Sequence, residues 1–131
     1  MSTNSTVAVK TDTGYEAIYV HWDGYFSYMY PMLSENYASL ERATALVSFG
    51  DASFIDKRIT PSQGSNHSFV MPEEDVCIFY HRDRGEPWSQ VKPNFYHTKG
   101  EVLKTQYYTY IFEDGRWRAY QGGTEVDSYD Y

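Results

Sequence analysis

The stretch Tyr107-Tyr108-Thr109-Tyr110-Ile111-Phe112-Glu113-Asp114-Gly115-Arg116-Trp117-Arg118-Ala119-Tyr120 decides how the rest of the chain is read. Two runs rich in aromatic residues, 107–112 and 117–120, flank Glu113-Asp114-Gly115-Arg116. Asp-Gly suits a tight hairpin turn because both central residues need positive φ, which these two residue types tolerate. A two-residue turn there sets Glu113 opposite Arg116 and Phe112 opposite Trp117, an ion pair followed by an aromatic pair. Turn chemistry and cross-strand chemistry agree, so the spacing predicts an antiparallel hairpin.

Outward from this hairpin the periods change. Val7, Val9 and Thr11 alternate with Ala8 and Lys10 as in a short strand, and Asp12-Thr13-Gly14 supplies a turn into a second strand over 15–22. There Ile18, Val20 and Trp22 share the core face, with Tyr19, His21 and Asp23 on the other, and Asp23-Gly24 ends the strand through a positive φ at Gly24. Met29, Met32, Leu33 and Tyr37 form a helical stripe, which places Pro31 in a first turn. A second helix carries a cap at Ser39, Glu41 near its positive end, a buried stripe of Leu40, Ala43, Leu46 and Val47, and a stop at Gly50. Residues 51–66 read as a loop with one helical turn at 53–55. The short apolar run 76–80 reads as a central strand that continues into His81-Arg82-Asp83, and 86–100 as a second long loop. The expected fold class is α+β, an antiparallel sheet of about five strands with a short helical pair packed on one face. Residues 1–131 read as a single domain, with a loose N-terminus over 1–6 and an acidic, Tyr-containing tail over 121–131.

Composition narrows the function classes. The chain has 131 residues, 11 Lys and Arg against 18 Asp and Glu, and a formal charge of -7, which argues against direct nucleic-acid binding through phosphate contacts. No apolar run reaches the roughly 20 residues that span a bilayer, and residues 1–6 lack an apolar signal-peptide core. A single cysteine, Cys77, excludes an internal disulfide and points to a reducing compartment. The outlier is the aromatic content: 14 Tyr, 7 Phe and 3 Trp, more than a core of this size absorbs together with its aliphatic residues. Tyr25, Tyr28, Tyr30, Tyr107, Tyr120 and the tail's Tyr129 and Tyr131 are therefore expected at the surface. With the acids Glu73, Glu74, Asp75, Glu125 and Asp127, the first five make the candidate partner-binding set.

A second candidate cluster joins His21, Asp23, His81, Arg82, Asp83, Arg84 and Glu86. Residues two apart on a strand share a face, so His21 with Asp23, and His81 with Asp83, present an imidazole beside a carboxylate; on neighbouring strands these would suit a divalent metal. The competing reading makes Asp23 a turn residue and pairs Asp83 locally with the arginines. Arg82 and Arg84 on one strand face suit a carboxylate or phosphate, against an internal ion-pair network with Asp23 or Glu86 around Gly85, which is the reading preferred. His81-Arg82-Asp83 lacks the remainder of a protein-kinase signature. Cys77 sits among Val76, Ile78 and Phe79 as a core residue, no Gly-x-Ser-x-Gly elbow is present, and Gly122-Gly123 lacks the Lys-Ser or Lys-Thr of a phosphate loop. No catalytic residue, metal or cofactor is assigned.

Tyr19-Val20-His21-Trp22-Asp23-Gly24-Tyr25, Ser48-Phe49-Gly50-Asp51 and His81-Arg82-Asp83-Arg84-Gly85-Glu86 followed by Trp88 resemble, in the same order, a group of small uncharacterised phage and prophage proteins. The resemblance spans roughly residues 15–120 and implies phage origin, a host bacterial cytoplasm and no established chemistry. Accessory phage proteins of this size often inhibit host defence systems, so the expectation is a non-enzymatic inhibitor of a host protein or defence complex, of the anti-CRISPR or anti-restriction type. The alternatives are a small enzyme or ligand binder built on the His/Asp elements, and a homo-oligomeric structural phage protein.

Overall fold

Three hydrophobic residues in a row, Val7, Ala8 and Val9, are buried to 2% exposure or less, which only a strand covered on both faces permits. The computed structural model describes residues 2–126, and in it β1 (Ser5–Lys10) lies inside a mixed, mostly antiparallel sheet of eight strands among the described residues. The others are β2 (Tyr15–Val20), β3 (Ala52–Phe54), β4 (Ile78–Phe79), β5 (Asn94–Tyr96), β6 (Tyr108–Glu113), β7 (Arg116–Gln121) and β8 (Thr124–Glu125). Their order is β4-β3-β2-β1-β6-β7-β8, with β5 also on β2. The helices are α1 (Phe26–Asn36), α2 (Leu40–Ser48), α3 (Tyr80–Arg84), α4 (Trp88–Val91) and α5 (Lys99–Leu103). No helix of the described residues is long and apolar enough to cross a membrane.

The hairpin forms in the expected register, with Phe112 opposite Trp117 and Glu113 opposite Arg116. Asp114 and Gly115 take φ of 53° and 82°, and the Phe112 and Trp117 rings meet edge to face at 5.4 Å. β1 pairs antiparallel with β2 and parallel with β6, so Val7 lies between Ile18 and Tyr110. Alternation then divides the interior. Val7, Val9, Ile18, Val20, Tyr110, Phe112 and Trp117 face Met29, Leu33 and Tyr37 along α1 and Ala43, Leu46 and Val47 of α2. Ala8, Tyr15, Ala17, Ile111 and Tyr120 face Val102 of α5 on the opposite side.

The α+β class stands, but the details differ from the five-strand, one-sided expectation, because short strands and α5 come from segments with no clear period. Residues 53–55 lie in β3 and its exit instead of a helical turn, and 76–80 holds only the two-residue β4 at the end of the sheet before α3. The segment 86–100 contains α4, β5 and the start of α5, which is opened by a capping box of Thr98 and Glu101. Pro31 is interior to α1, where its missing N–H is tolerated because burial of Met29 and Leu33 holds the helix. Leu40 is exposed at the first turn of α2, although the Ser39 cap forms as expected. At Asp23-Gly24 the left-handed residue is Asp23, with φ 56°; Gly24 is needed for space, since a Cβ there would sit 2.6 Å from the Ser5 Cβ. Ser5 and Thr6 are buried in β1, and Thr6 hydrogen-bonds Thr105, so 1–6 is not loose throughout. The expected tail likewise begins as structure: Thr124 and Glu125 pair with β7, and Val126 donates to the Ala119 carbonyl.

Candidate functional site

Between β5 and β3 the outer edge of β2 has a gap, because β5 pairs only with residues 15–17 and β3 only at Val20. The Tyr19 N–H in that gap donates to Asp51 Oδ1 at 2.9 Å. Asp51 is also bonded through its backbone, its N–H to the Val91 carbonyl at 2.7 Å and its carbonyl to the Tyr80 N–H at 3.1 Å. One residue thus joins β2, α3 and α4. Around it Tyr19, Asp51, Tyr80, Arg84, Glu86 and Val91 line a cleft of about 350 Å³. Four separate segments contribute to it: Tyr19 from β2, Asp51 from the turn before β3, Tyr80 and Arg84 from α3 with Glu86 just beyond it, and Val91 from α4.

Gly50 makes this approach possible. It has φ +84°, and a Cβ would lie 2.4 Å from the Val91 carbonyl oxygen. Gly85 has nearly the same φ, +82°, with nothing near its absent Cβ. Gly85→Ala is therefore expected to cost about 1–2 kcal/mol from backbone strain alone. Gly50→Ala is expected to cost about 3 kcal/mol, strain plus overpacking. Urea denaturation of the two variants checks the difference, and equal losses would refute the close approach.

Burial raises the Asp51 carboxyl above the ordinary range, opposed by the Tyr19 amide. Tyr19 is raised by burial and then by the Asp51 charge. Tyr80 is raised by burial and then by Tyr19, against lowering by Arg84 and a Ser53 hydrogen bond. Both phenols therefore stay neutral hydrogen-bonding groups at neutral pH. The Tyr19 hydroxyl is 2.8 Å from His21 Nδ1. Arg84 is already engaged: its Nε lies 3.3 Å from Glu86 Oε2, and its guanidinium stands 4.6 Å above the Phe69 ring. Asp51 has no ion pair among the described residues.

The His/Asp pairs do not form as read. His81, Arg82 and Asp83 lie on a helix, where each residue turns by about 100°, so residues two apart point in different directions. His81 Nδ1 meets the Glu86 carbonyl at 2.8 Å and its ring packs on Trp88. Asp83 turns inward instead. Its carboxylate accepts from the Phe79 N–H at 2.8 Å and from Arg82 Nε at 2.8 Å, and it lies 3.3 Å from His67 Nε2. His67 Nδ1 accepts the Glu73 N–H at 2.9 Å, so the ring proton sits on Nε2, which also meets the Cys77 carbonyl. Arg82 donates to the Ile59 and Cys77 carbonyls at 2.5 and 3.0 Å. It is a brace for the 56–77 loop and not a partner of Arg84 in an anion clamp. The Arg84–Glu86 pair around Gly85 agrees with the internal-pair reading, but Asp23 does not join it and remains a turn residue. Among the described residues no three His, Cys, Asp or Glu gather in a metal-holding group.

The candidate partner-binding residues scatter. Tyr25 and Tyr107 are exposed. Tyr28 is half-buried, its hydroxyl donating to the Ile55 carbonyl, and Tyr30 is half-buried and stacked on Phe26. Tyr120 is a correction: it is 5% exposed, enclosed by the α5 side of the sheet with its hydroxyl on Glu113. Glu73 is bound by Ser62, Ser65 and Arg58, whose hydrogen bonds hold its carboxyl down at about 2. Glu74 is exposed, Asp75 sits at φ 68°, and Glu125 pairs with Arg118 at 3.3 Å. Asp127, Tyr129 and Tyr131 lie outside the described residues. Sequence reasoning missed Trp22, 43% exposed on the supposed core face, and Phe54, which stacks on Tyr28 at 5.6 Å. Trp22 packs edge-on against His21 at 4.9 Å, and Tyr25 lies 6.2 Å from Tyr28. The end of β2, the start of α1 and β3 therefore carry an aromatic patch. His67 was missed for lack of any periodic signal in its loop, and Asp51 because its role depends on three distant backbones.

The fold and sites thus define a mixed α/β chain that carries a polar cleft around Asp51 and exposed aromatic residues at Trp22 and Tyr25. Comparison with protein-family models, curated proteins and solved structures finds no match.

Proposed function

We propose that this chain is a phage-encoded, non-enzymatic binding protein that inhibits a host protein of a bacterial defence system, of the anti-CRISPR or anti-restriction type, in the host cytoplasm. Phage origin and the defence context rest on the resemblance of 19–25, 48–51 and 81–88. The observation that carries the binding role is the exposure of Trp22 and Tyr25, 43% and 38%, Trp22 packed edge-on against His21 and Tyr25 beside Tyr28, which stacks on Phe54. Large rings already packed at their bases lose little rotamer entropy on docking and bury much apolar area. Burial, then the Asp56 and Asp23 charges, raises the Tyr28 hydroxyl, so two acids stand near Tyr28. With the net charge of -7 this favours a basic partner surface, the charge speeding encounter and the rings supplying affinity.

Purified protein mixed with bacterial Cas effectors and restriction enzymes tests the proposal. The expected result is a stoichiometric complex that Trp22→Ala and Tyr25→Ala each weaken about tenfold or more. Each ring is more than half covered, so truncation is expected to cost about 1 kcal/mol of folding stability, and circular dichroism should show both variants folded. No complex with any of them, or variants that bind as the parent does, would refute it. The cleft favours a second reading, a ligand binder, since it brings Arg84 and Glu86 together and reaches His21 through Tyr19.

A further inference from the structure

We infer that the cleft bounded by Tyr19, Asp51 and Tyr80 binds an organic cation, an alkylammonium or guanidinium group, presented by a Lys or Arg side chain of the partner. The source of the cation rests on the binding role proposed above; the cleft itself does not. Charge leads the argument. Of the three charged side chains lining the cleft, Arg84 and Glu86 pair with each other at 3.3 Å, and the Arg84 guanidinium lies over the Phe69 and Tyr80 rings. That leaves the half-buried Asp51 carboxylate as the unmatched charge, its only hydrogen bond among the described residues coming from the Tyr19 amide. A carboxylate drawn partly out of water without a cation is costly, and an entering cation removes that cost.

Shape and chemistry agree with the sign. A volume of about 350 Å³ is ample for one long side chain and small for a larger ligand. Tyr19 and Tyr80 line the cleft with phenol hydroxyls that can accept from ammonium and guanidinium N–H groups, and Val91 offers apolar contact to a methylene stem. An anion would meet the Asp51 and Glu86 carboxylates against the single Arg84 cation. Burial raises the Asp51 carboxyl, opposed only by the Tyr19 amide, and a cation in the cleft would draw it back down.

The test titrates the isotope-labelled full chain by NMR with n-butylammonium, methylguanidinium, neutral n-pentanol and acetate at constant ionic strength. Both cations are expected to shift the amides of Tyr19, Asp51 and Tyr80 saturably, with affinities on the order of millimolar, while pentanol and acetate do not. Asp51→Asn keeps a carbonyl acceptor for the Tyr19 N–H and removes the charge; it should fold and lose about tenfold or more in cation affinity. Because burial raises the Asp51 carboxyl in the fold, its contribution to stability is largest at low pH and lost as pH rises through the folded value. Asp51→Asn should therefore be no less stable than the parent at neutral pH. Equal cation affinity in parent and variant, or equal binding of pentanol, would overturn the site. Cation binding lost in Asp51→Asn with undiminished affinity for a defence complex would overturn the partner side chain as the source. Because the cation arm uses no partner, its failure leaves the Trp22–Tyr25 surface to its own test.

Discussion

Trp117→Ala is expected to destabilise the fold by about 3–5 kcal/mol, a large share of the 5–15 kcal/mol that holds a typical domain together. Trp117 is 2% exposed, packs edge-on against Phe112, and donates its Nε1–H to the Tyr37 carbonyl at 2.8 Å. Tyr37 is the C-cap of α1, so this single side chain joins the hairpin to the end of a helix 80 residues earlier. Truncation removes the ring's buried area, leaves a cavity between sheet and helix, and deprives a helix-end carbonyl of its donor. Trp117→Phe separates these effects, since it keeps most of the ring and loses the bond, for an expected cost of about 1–3 kcal/mol. Urea denaturation measures both. Similar losses in the two variants would mean that the hydrogen bond, not the packed ring, dominates.

Asp83→Ala is expected to be comparably severe, about 3–5 kcal/mol, for an electrostatic reason. The carboxylate is 3% exposed and accepts from the Phe79 amide and from Arg82, with His67 3.3 Å away. Its removal leaves a buried amide unpaired, the Arg82 guanidinium without its counter-charge, and the His67 Nε2–H with only the Cys77 carbonyl. The loss has an address as well as a size. Hydrogen exchange should accelerate first in the segment 58–76, whose contacts run through His67 and Arg82, while the amides of β6 and β7 stay protected. Uniform acceleration across the sheet would refute the brace. Asp83→Asn, which retains an acceptor for the Phe79 N–H, should fall between the parent and Asp83→Ala.

The two predictions mark where sequence reading succeeded and where it stopped. Phe112, Trp117, Asp114 and Gly115 lie within six positions of one another, and the preferences of a turn and of its facing pairs act over that distance. The Ser39 cap was legible for the same reason, since its hydroxyl reaches only to the Arg42 amide. His81, Arg82 and Asp83 were misread as strand because an apolar run of five residues suits a strand or a helix entrance equally. What turns the chain into α3 is Asp83 folding back onto the Phe79 amide with a histidine from another loop beside it. The candidate surface fared similarly: Tyr25 and Tyr107 are exposed, but Tyr120 went inside because α5, unseen in the sequence, covers that face.

By itself the sequence determined the α+β class, the hairpin and its register, the first two strands, the α2 cap and the excess of rings over available interior. These follow from turn chemistry, period and composition, which act between neighbours in the chain. Tertiary structure alone decided that β6 lies parallel beside β1, that Asp51 closes the gap in β2, and that Trp22 faces out while Tyr120 faces in. The physical reason is separation. Tyr110 reaches the Gly24 carbonyl across 86 positions and Thr6 meets Thr105 across 99, and such contacts form only once loop closure has been offset by a core built from all the elements together.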